Sequence, residues 1–249
     1  MKLLATLLLI ASTAAAQPFG SPACYGEHAD RLFLFICHST GRKVPLWTAY
    51  TLTPAHLDGS APRPSRFRQD HALASPVVSN RDYLHSGFSR GHLAPAADFA
   101  FSDAAIGSTF LLSNAIPQRR SVNSGRWRQV ETAIRAIARD ADRVHVFTGV
   151  LLEGELRTIG AGKVSVPSHT YKVILVERAG ARRMYAVIVP NQDHVRETID
   201  QLAVAVDEVE QRTGLDFFPE LPDEQETELQ SKREFLTEGR LAAHKQPDD

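Results

Sequence analysis

Residues Ser89 to Glu131 read SRGHLAPAADFAFSDAAIGSTFLLSNAIPQRRSVNSGRWRQVE, and the rest of the chain is interpreted around this stretch. Its first four residues place Arg90 and His92 on either side of Gly91. Histidine is the side chain best suited to take a proton from water near neutral pH. Arginine offers a planar fork of donors to phosphate oxygens. We expect Gly91 to give the backbone a path closed to residues with a Cβ, so that both side chains turn towards one site.

Two asparagines and a glutamate follow in the same stretch, at Asn114, Asn123 and Glu131. An asparagine carbonyl is a hard oxygen ligand that suits Mg²⁺. Taken singly, each residue also has an ordinary structural interpretation. Asparagine is common in turns and helix caps, and a glutamate usually lies on a solvated helix face. Only the joint spacing of the five polar residues favours a site for phosphodiester hydrolysis.

Three motifs in this stretch resemble those of the DNA/RNA non-specific endonucleases, the ββα-metal nucleases. The first, of the form [DS]-R-G-H-x-x-P, runs from Ser89 to Pro95, and the second, S-N-x-x-P-Q, runs from Ser113 to Gln118. The third, N-x-x-x-W-x-x-x-E, is carried by Asn123, Trp127 and Glu131. With the segment RTGLDFFPELPD near the C-terminus, the resemblance covers roughly residues 30 to 230.

The resemblance implies an α+β fold: a central antiparallel sheet with helices packed on it, and a ββα-metal finger at the active site. It implies an endonuclease that cleaves DNA and RNA, with His92 as general base and Arg90 as phosphate clamp. Asn114 would orient His92 or its neighbours. Asn123 would bind Mg²⁺, for which Mn²⁺ is a substitute, and Glu131 would hold the hydrated ion. A homodimer and an inhibitor protein are partners that the resemblance leaves open.

The spacing of Asn123 and Glu131 agrees with two different roles at the metal. The two residues are eight apart, which is about 12 Å along a regular helix axis. Both side chains therefore cannot easily bind one ion directly, and Glu131 is expected to act through water. Ser89 departs from the family pattern, in which Asp is commoner. Arg63, Arg66 and Arg68 lie before the first motif and are candidate contacts to the substrate backbone. The resemblance places a phosphate-contacting arginine in this region, and Arg66 is the candidate.

The hydrophobic pattern predicts further elements of a single domain. Runs rich in Val, Ile and aromatic residues predict strands, and apolar residues that recur every three or four positions predict helices. Asn123 is expected to begin the helix that carries Glu131, and Trp47 and Tyr50 are expected in the core rather than at bases. The predicted strands are 32–38, 44–53, 109–116, 144–152, 171–177 and 184–191, and a second amphipathic helix is predicted over 196–211.

The N-terminus predicts export. Residues 1–16 combine one lysine, a short apolar run and three alanines, which is typical of a secretory signal cleaved after Ala16. The apolar run is too short to span a membrane, so no membrane partner is expected. Residues 17–235 are predicted to form one nuclease domain and residues 236–249 a tail. The protein is expected to be secreted or periplasmic. There, Cys24 and Cys37 would form a disulfide, the alternative being two reduced, buried thiols.

Charge is distributed unevenly along the chain, although the formal net charge is only −1. Residues 61–143 hold 12 arginines against seven Asp and Glu residues, whereas residues 191–249 hold 16 acidic and six basic residues. A basic face around the site would attract a polyanion. The alternative is two solvated faces of mixed charge.

Two other functions remain open at this stage. One is a catalytically inactive nucleic-acid-binding module that kept the fold. The other is a zinc hydrolase built from several of the ten histidines, for which no HExxH or comparable spacing exists.

Overall fold

The structure is a computed structural model that describes residues 19–31, 33–73 and 78–237. The predicted signal segment 1–16 lies outside these ranges. Within them, no helix combines the length and the apolar character that crossing a bilayer requires. Leu236 was assigned to the tail by the sequence prediction, but it is buried, so packed structure reaches at least one residue past the predicted boundary.

A seven-stranded sheet organises the fold. Its spatial order is β1-β2-β3-β6-β9-β10-β11, and every neighbouring pair is antiparallel. The strands are β1 (Glu27–Arg31), β2 (Leu34–Ser39), β3 (Val44–Leu52), β6 (Arg143–Leu151), β9 (His169–Arg178), β10 (Ala181–Pro190) and β11 (Ala203–Val204). These bounds confirm five of the six predicted strands to within one to three residues, and the α+β prediction is confirmed.

Both faces of this sheet are covered, which explains the nearly continuous apolar runs in its central strands. In β9, Ile174 and Val176 belong to one core cluster, whereas Val173 and Leu175 belong to the other. Trp47 and Tyr50 are both buried, as predicted.

Helices α4 (Val206–Thr213) and α5 (Asp223–Gln230) follow β11. The predicted helix over 196–211 is wrong in its first half. Leu202 packs in the first cluster and Val206 in the second, so the chain passes from one face of the sheet to the other between them. A single helical stripe could not make both contacts.

A small hairpin lies outside the large sheet. Strand β4 (Ser89–His92) pairs antiparallel with β5 (Ala115–Gln118). Between them come helix α1 (Asp103–Thr109) and several short 3-10 turns. The strand predicted over 109–116 is therefore wrong: α1 ends at Thr109, a 3-10 turn occupies Leu112–Asn114, and only the last two residues are in a strand. The short strands β7 (Thr158–Ile159) and β8 (Val164–Ser165) form another small hairpin.

The helix after β5, called the site helix here, consists of three consecutive segments. They are α2 (Arg120–Val122), a π turn (Asn123–Trp127) and α3 (Arg128–Ala138). Asn123 was predicted to begin this helix, but the helix begins three residues earlier. Within the π turn, Gly125 departs from helical geometry, with φ −106° and ψ −109°. Val130, Ile134 and Ile137 of α3 form the predicted apolar stripe and pack on the large sheet.

A disulfide joins Cys24 to Cys37, as predicted, with the two Cα atoms 5.6 Å apart. It ties the segment before β1 to β2. Replacing both cysteines by alanine should lower the free energy of unfolding by about 3 kcal/mol, because the bond restricts a short loop in the unfolded chain. Urea unfolding of the double variant and of the reduced wild-type protein measures this loss, and the two should agree. A loss below about 1 kcal/mol in both would contradict the prediction.

Candidate active site

A cavity of about 290 Å³ lies between the end of β4 and the site helix. It brings together three of the predicted site residues: His92 from β4, Asn123 from the π turn and Glu131 from α3. The remaining lining residues are Arg63, Pro95, Ala96, Ala97, Ser124, Arg128 and Arg135. A histidine, hard oxygen ligands and arginines therefore share one concave surface.

His92 is held between aromatic rings. Its imidazole lies 4.6 Å from the Phe67 ring and 4.8 Å from the Phe110 ring, centre to centre. It is only 8% exposed, and its Nε2 has no hydrogen-bond partner among the described residues. Burial, with a smaller contribution from the nearby charge of Arg63, lowers the pKa of His92 to about 3. The imidazole is therefore neutral at physiological pH, the state in which it can accept a proton.

The main chain after His92 is fixed by Asn114. The Asn114 side chain accepts a hydrogen bond from Ala94 N and donates to Ala94 O and Thr109 O, each at 2.9 Å. The main-chain carbonyl oxygen of Asn114 accepts a further hydrogen bond from Leu93 N at 3.1 Å. Asn114 is fully buried and does not line the cavity. Its hydrogen bonds hold the main chain of Leu93 and Ala94, and its expected role in orienting His92 or its neighbours stays a prediction.

Gly91 is required for space rather than for an unusual backbone path. Its φ is not among the positive values in the described chain, so the conformational reason given in the sequence analysis is wrong. A Cβ at this position would lie 2.2 Å from Oε1 and 2.7 Å from Cβ of Gln118. Gln118 is fully buried against the hairpin, so any side chain at Gly91 would push the two strands apart.

The π turn explains how Asn123 and Glu131 face the same cavity. Eight residues of regular α-helix turn by about 800°, which leaves the two side chains about 80° apart. The chain between them is not a regular helix, because Gly125 has non-helical dihedral angles within the π turn. This irregular turn changes the direction of Asn123 relative to Glu131, and both line the cavity. The prediction that the two residues act differently on one ion is thus compatible with the structure.

The cavity fits a hard divalent cation. The side-chain amide of Asn123 and the carboxylate of Glu131 have no hydrogen-bond partners among the described residues. Burial raises the pKa of Glu131, and the negative charge of Asp98 adds to the effect, while Lys172 and Arg135 oppose it. A carboxylate and an amide oxygen that lack partners match the donor chemistry of Mg²⁺. No group of three or more His, Cys, Asp and Glu residues in the described chain could hold a metal by itself.

Two more arginines line the cavity: Arg63, which the sequence grouped with Arg66 and Arg68 as candidate contacts to the substrate backbone, and Arg128, which it did not single out. Arg63 lies 5.1 Å from the Phe110 ring, and Arg128 comes one residue after the π turn. Neither has a carboxylate partner among the described residues. Arg66, the predicted phosphate contact, does not line the cavity, because the loop presents Arg63 to the Phe110 ring instead.

Arg90 is not among the residues that line the cavity. Its guanidinium donates to Asn80 O at 3.1 Å and sits 5.3 Å from the Tyr83 ring centre, so it packs on the segment before β4. The phosphate-clamp role expected for Arg90 stays a prediction.

A buried ion pair lies behind the cavity. Arg135 Nη1 donates to Asp98 Oδ1 at 2.9 Å, and the Tyr50 hydroxyl donates to Asp98 Oδ2 at 2.6 Å. Asp98 is 2% exposed, so its charge depends on these two donors. The sequence offers one signal for Arg135, its position four residues after Glu131, which places both on one helix face.

The hairpin β4–β5 followed by the site helix defines the ββα-metal fold. A solved structure described as a complex of EndoG with EndoGI, concerning the mechanism of EndoG inhibition, matches with a TM-score of 0.76 and 28% identity. The match covers 80% of this chain and 89% of that chain.

The sequence profile of the DNA/RNA non-specific endonucleases matches residues 24–224. The mitochondrial nuclease EXOG of Xenopus laevis is 34% identical over 82% of this chain. The match spans 62% of that relative's own length. Human mitochondrial endonuclease G is 33% identical over 75% of this chain and 67% of its own length. Nuclease C1 of Cunninghamella echinulata is 35% identical over 82% of this chain and 87% of its own length. The chain therefore belongs to the DNA/RNA non-specific endonuclease family.

The contact between Gly91 and Gln118 can be tested by substitution. Gly91→Ala should destabilise the protein by about 1–3 kcal/mol, since a methyl group enters a fully packed space. Gly41→Ala is the matched control, because no atom lies within 4 Å of a Cβ there. Urea unfolding compares the two variants, and Gln118→Ala in the Gly91→Ala background should recover part of the loss. Equal stabilities of Gly91→Ala and Gly41→Ala would contradict the contact.

Proposed function

We propose that this protein is an exported, Mg²⁺-dependent endonuclease that hydrolyses DNA and RNA with little sequence preference. The observation that carries the proposal is the shared cavity of neutral His92, Asn123 and Glu131, bordered by arginines without carboxylate partners. Each component of phosphodiester hydrolysis has a candidate there: a base, a cation site and a phosphate-binding surface.

His92 is the proposed general base. It is neutral in the free protein, so its imidazole can accept a proton from a water molecule that attacks phosphorus. A bound phosphodiester brings a negative charge to the cavity, which opposes the effect of Arg63 and favours the imidazolium that forms. The rings of Phe67 and Phe110 restrict the imidazole and keep the proton acceptor in one orientation.

Arg63 and Arg128 are the proposed phosphate contacts. Their guanidinium groups are exposed at the cavity and have no carboxylate partner among the described residues, so they are available to phosphate oxygens. Arg135 is engaged with Asp98 and contributes positive charge to the cavity wall. Contacts of this kind address the nucleic-acid backbone and not the base edges, so cleavage would tolerate many sequences.

Asn123 is the proposed direct ligand of Mg²⁺, and Glu131 would hold the hydrated ion from the other side of the cavity. The bound ion supplies Lewis-acid stabilisation of the charge that develops on the phosphate during cleavage. Asn114 acts on His92 only through the main chain, and Arg90 packs on the segment before β4.

Export is proposed from the N-terminal segment described in the sequence analysis and from the disulfide between Cys24 and Cys37, which suits an oxidising compartment. Two of the three relatives named above, EXOG and endonuclease G, are described as mitochondrial. An inhibitor protein is a further proposed partner, because the matched structure is described as a complex that concerns EndoG inhibition.

A plasmid-nicking assay tests the function. The purified protein should nick supercoiled DNA with Mg²⁺ and lose activity in excess EDTA. His92→Ala should lose about 10²–10⁴-fold in rate while remaining folded, since the general base is removed. His85→Ala, at an exposed loop histidine, is the matched control and should keep its activity. A wild-type protein that binds DNA without nicking it would instead indicate an inactive binding module.

Variants at Asn123 and at Glu131 should differ in how their nicking activity responds to Mg²⁺. Asn123→Ala should lose nearly all metal-dependent activity and be rescued poorly by added Mg²⁺, because the ion loses its protein ligand. Glu131→Ala should lose about 10–100-fold, the usual cost of removing a partner that acts through water, and should recover better. Mg²⁺ titrations of nicking rate, repeated with Mn²⁺, measure both. The reverse order of sensitivity would show that Glu131 is the direct ligand.

A further inference from the structure

Lys172 is a buried lysine in the middle of β9. It is 1% exposed and pairs across the sheet with Thr148 on β6 and with Val187 on β10. Burying an ammonium group destabilises the folded state unless its N–H groups are hydrogen-bonded and its charge is balanced by nearby groups. Nothing in the proposed reaction requires a lysine at this position, so its contacts deserve an explanation of their own.

The Lys172 ammonium connects the large sheet to the residue that follows His92. Its Nζ donates to Thr148 Oγ1 at 2.7 Å and to Leu93 O at 3.3 Å. It also lies 4.9 Å from the centre of the Trp127 ring, within the range of a cation–π interaction. The hydrogen bond to Thr148 therefore fixes the ammonium within the sheet, and the hydrogen bond to Leu93 O lies on the side of the cavity.

Trp127 holds the preceding carbonyl in the same way. Its Nε1 donates to His92 O at 3.2 Å. Two consecutive carbonyls, of His92 and Leu93, are thus bound by buried donors that touch each other. Asn114 binds the amides of Leu93 and Ala94 from the opposite side. The main chain next to the proposed base is fixed by the sheet, by the site helix and by the 3-10 turn before β5.

Lys172 also balances charge behind the cavity. Burial lowers the pKa of the Lys172 ammonium, whereas the nearby acidic groups of Glu131 and Asp98 raise it and Arg135 opposes them. This arrangement keeps a positive charge directly behind the main chain of Leu93 without leaving it uncompensated.

We infer that Lys172 is a positioning residue: its ammonium, anchored on Thr148, holds the carbonyl of Leu93 and so fixes His92 in the cavity. The catalytic part of this inference rests on the proposed nuclease function, whereas the structural part does not. A displacement of about 1 Å at a reacting group can cost about 10²-fold in rate. The loss of this tie should therefore reduce turnover much more than substrate binding.

The test compares Lys172→Met with Val173→Ala. Methionine removes the charge and the donors of Lys172 while keeping a similar length. Val173 is the next residue of β9, is fully buried, and faces the other core cluster, so its truncation perturbs the same strand without touching Leu93. Two readouts are used: hydrogen exchange of the Leu93 and Ala94 amides, which needs no activity, and steady-state cleavage of a DNA oligonucleotide.

Lys172→Met should accelerate exchange of the two amides at least tenfold and lower kcat about 10–100-fold, with KM within about threefold of wild type. Val173→Ala should leave the exchange rates of the two amides and the kcat close to those of the wild-type protein. Unchanged amide exchange would overturn the inference, and so would faster exchange with unchanged kcat. If the wild-type protein does not cleave DNA, the proposed function fails, but the exchange comparison still decides the structural part.

A second variant covers the case in which Lys172→Met does not fold. Thr148→Val removes only the hydroxyl that accepts from the ammonium and keeps the shape of the side chain. It should accelerate exchange of the Leu93 and Ala94 amides and lower kcat by about 3–10-fold. Wild-type exchange and kcat in folded Thr148→Val would overturn the inference.

Discussion

The hydrogen bonds to the main chain at Leu93 and Ala94 are the constraint on which the site depends. Asn114 binds these residues from the 3-10 turn before β5, while Lys172 reaches Leu93 from the large sheet. The hairpin β4–β5 is only four residues long on each strand and could not hold His92 rigidly by itself. Its attachment to the sheet turns a small hairpin into a fixed support for a general base.

The π turn is the second determinant of the site, because it brings Asn123 and Glu131 to one face of the site helix. π turns inside helices are uncommon and often occur at functional positions. Here the turn contains Gly125, whose dihedral angles depart from the helix, and Trp127, whose indole fixes the His92 carbonyl. The same local irregularity therefore positions the cation ligand and supports the base.

Electrostatics separates the site into an inner and an outer part. Lys172 and Asp98 are buried behind the cavity, whereas Glu131 and Arg135 lie on its wall, where Arg135 pairs with Asp98. At the mouth, Arg63 and its neighbour Arg128 are exposed and free of carboxylates among the described residues. The inner charges hold the geometry, and the outer ones are available to a polyanion. The net charge of −1 conceals this arrangement, because the acidic residues concentrate in the C-terminal quarter.

The sequence by itself determined most strands of the large sheet, through their apolar periodicity, and the disulfide pair, through an expected oxidising compartment and the presence of two cysteines. It also pointed to His92, Asn123 and Glu131 through motifs that resemble those of one family. Only the tertiary structure decided which arginine lines the cavity, because Arg63 packs on the ring of Phe110, which is remote in sequence, whereas Arg90 packs on Tyr83 and Asn80 O. Lys172 was invisible for the same reason: its partners are 24 and 79 residues away, so no sequence pattern could connect them.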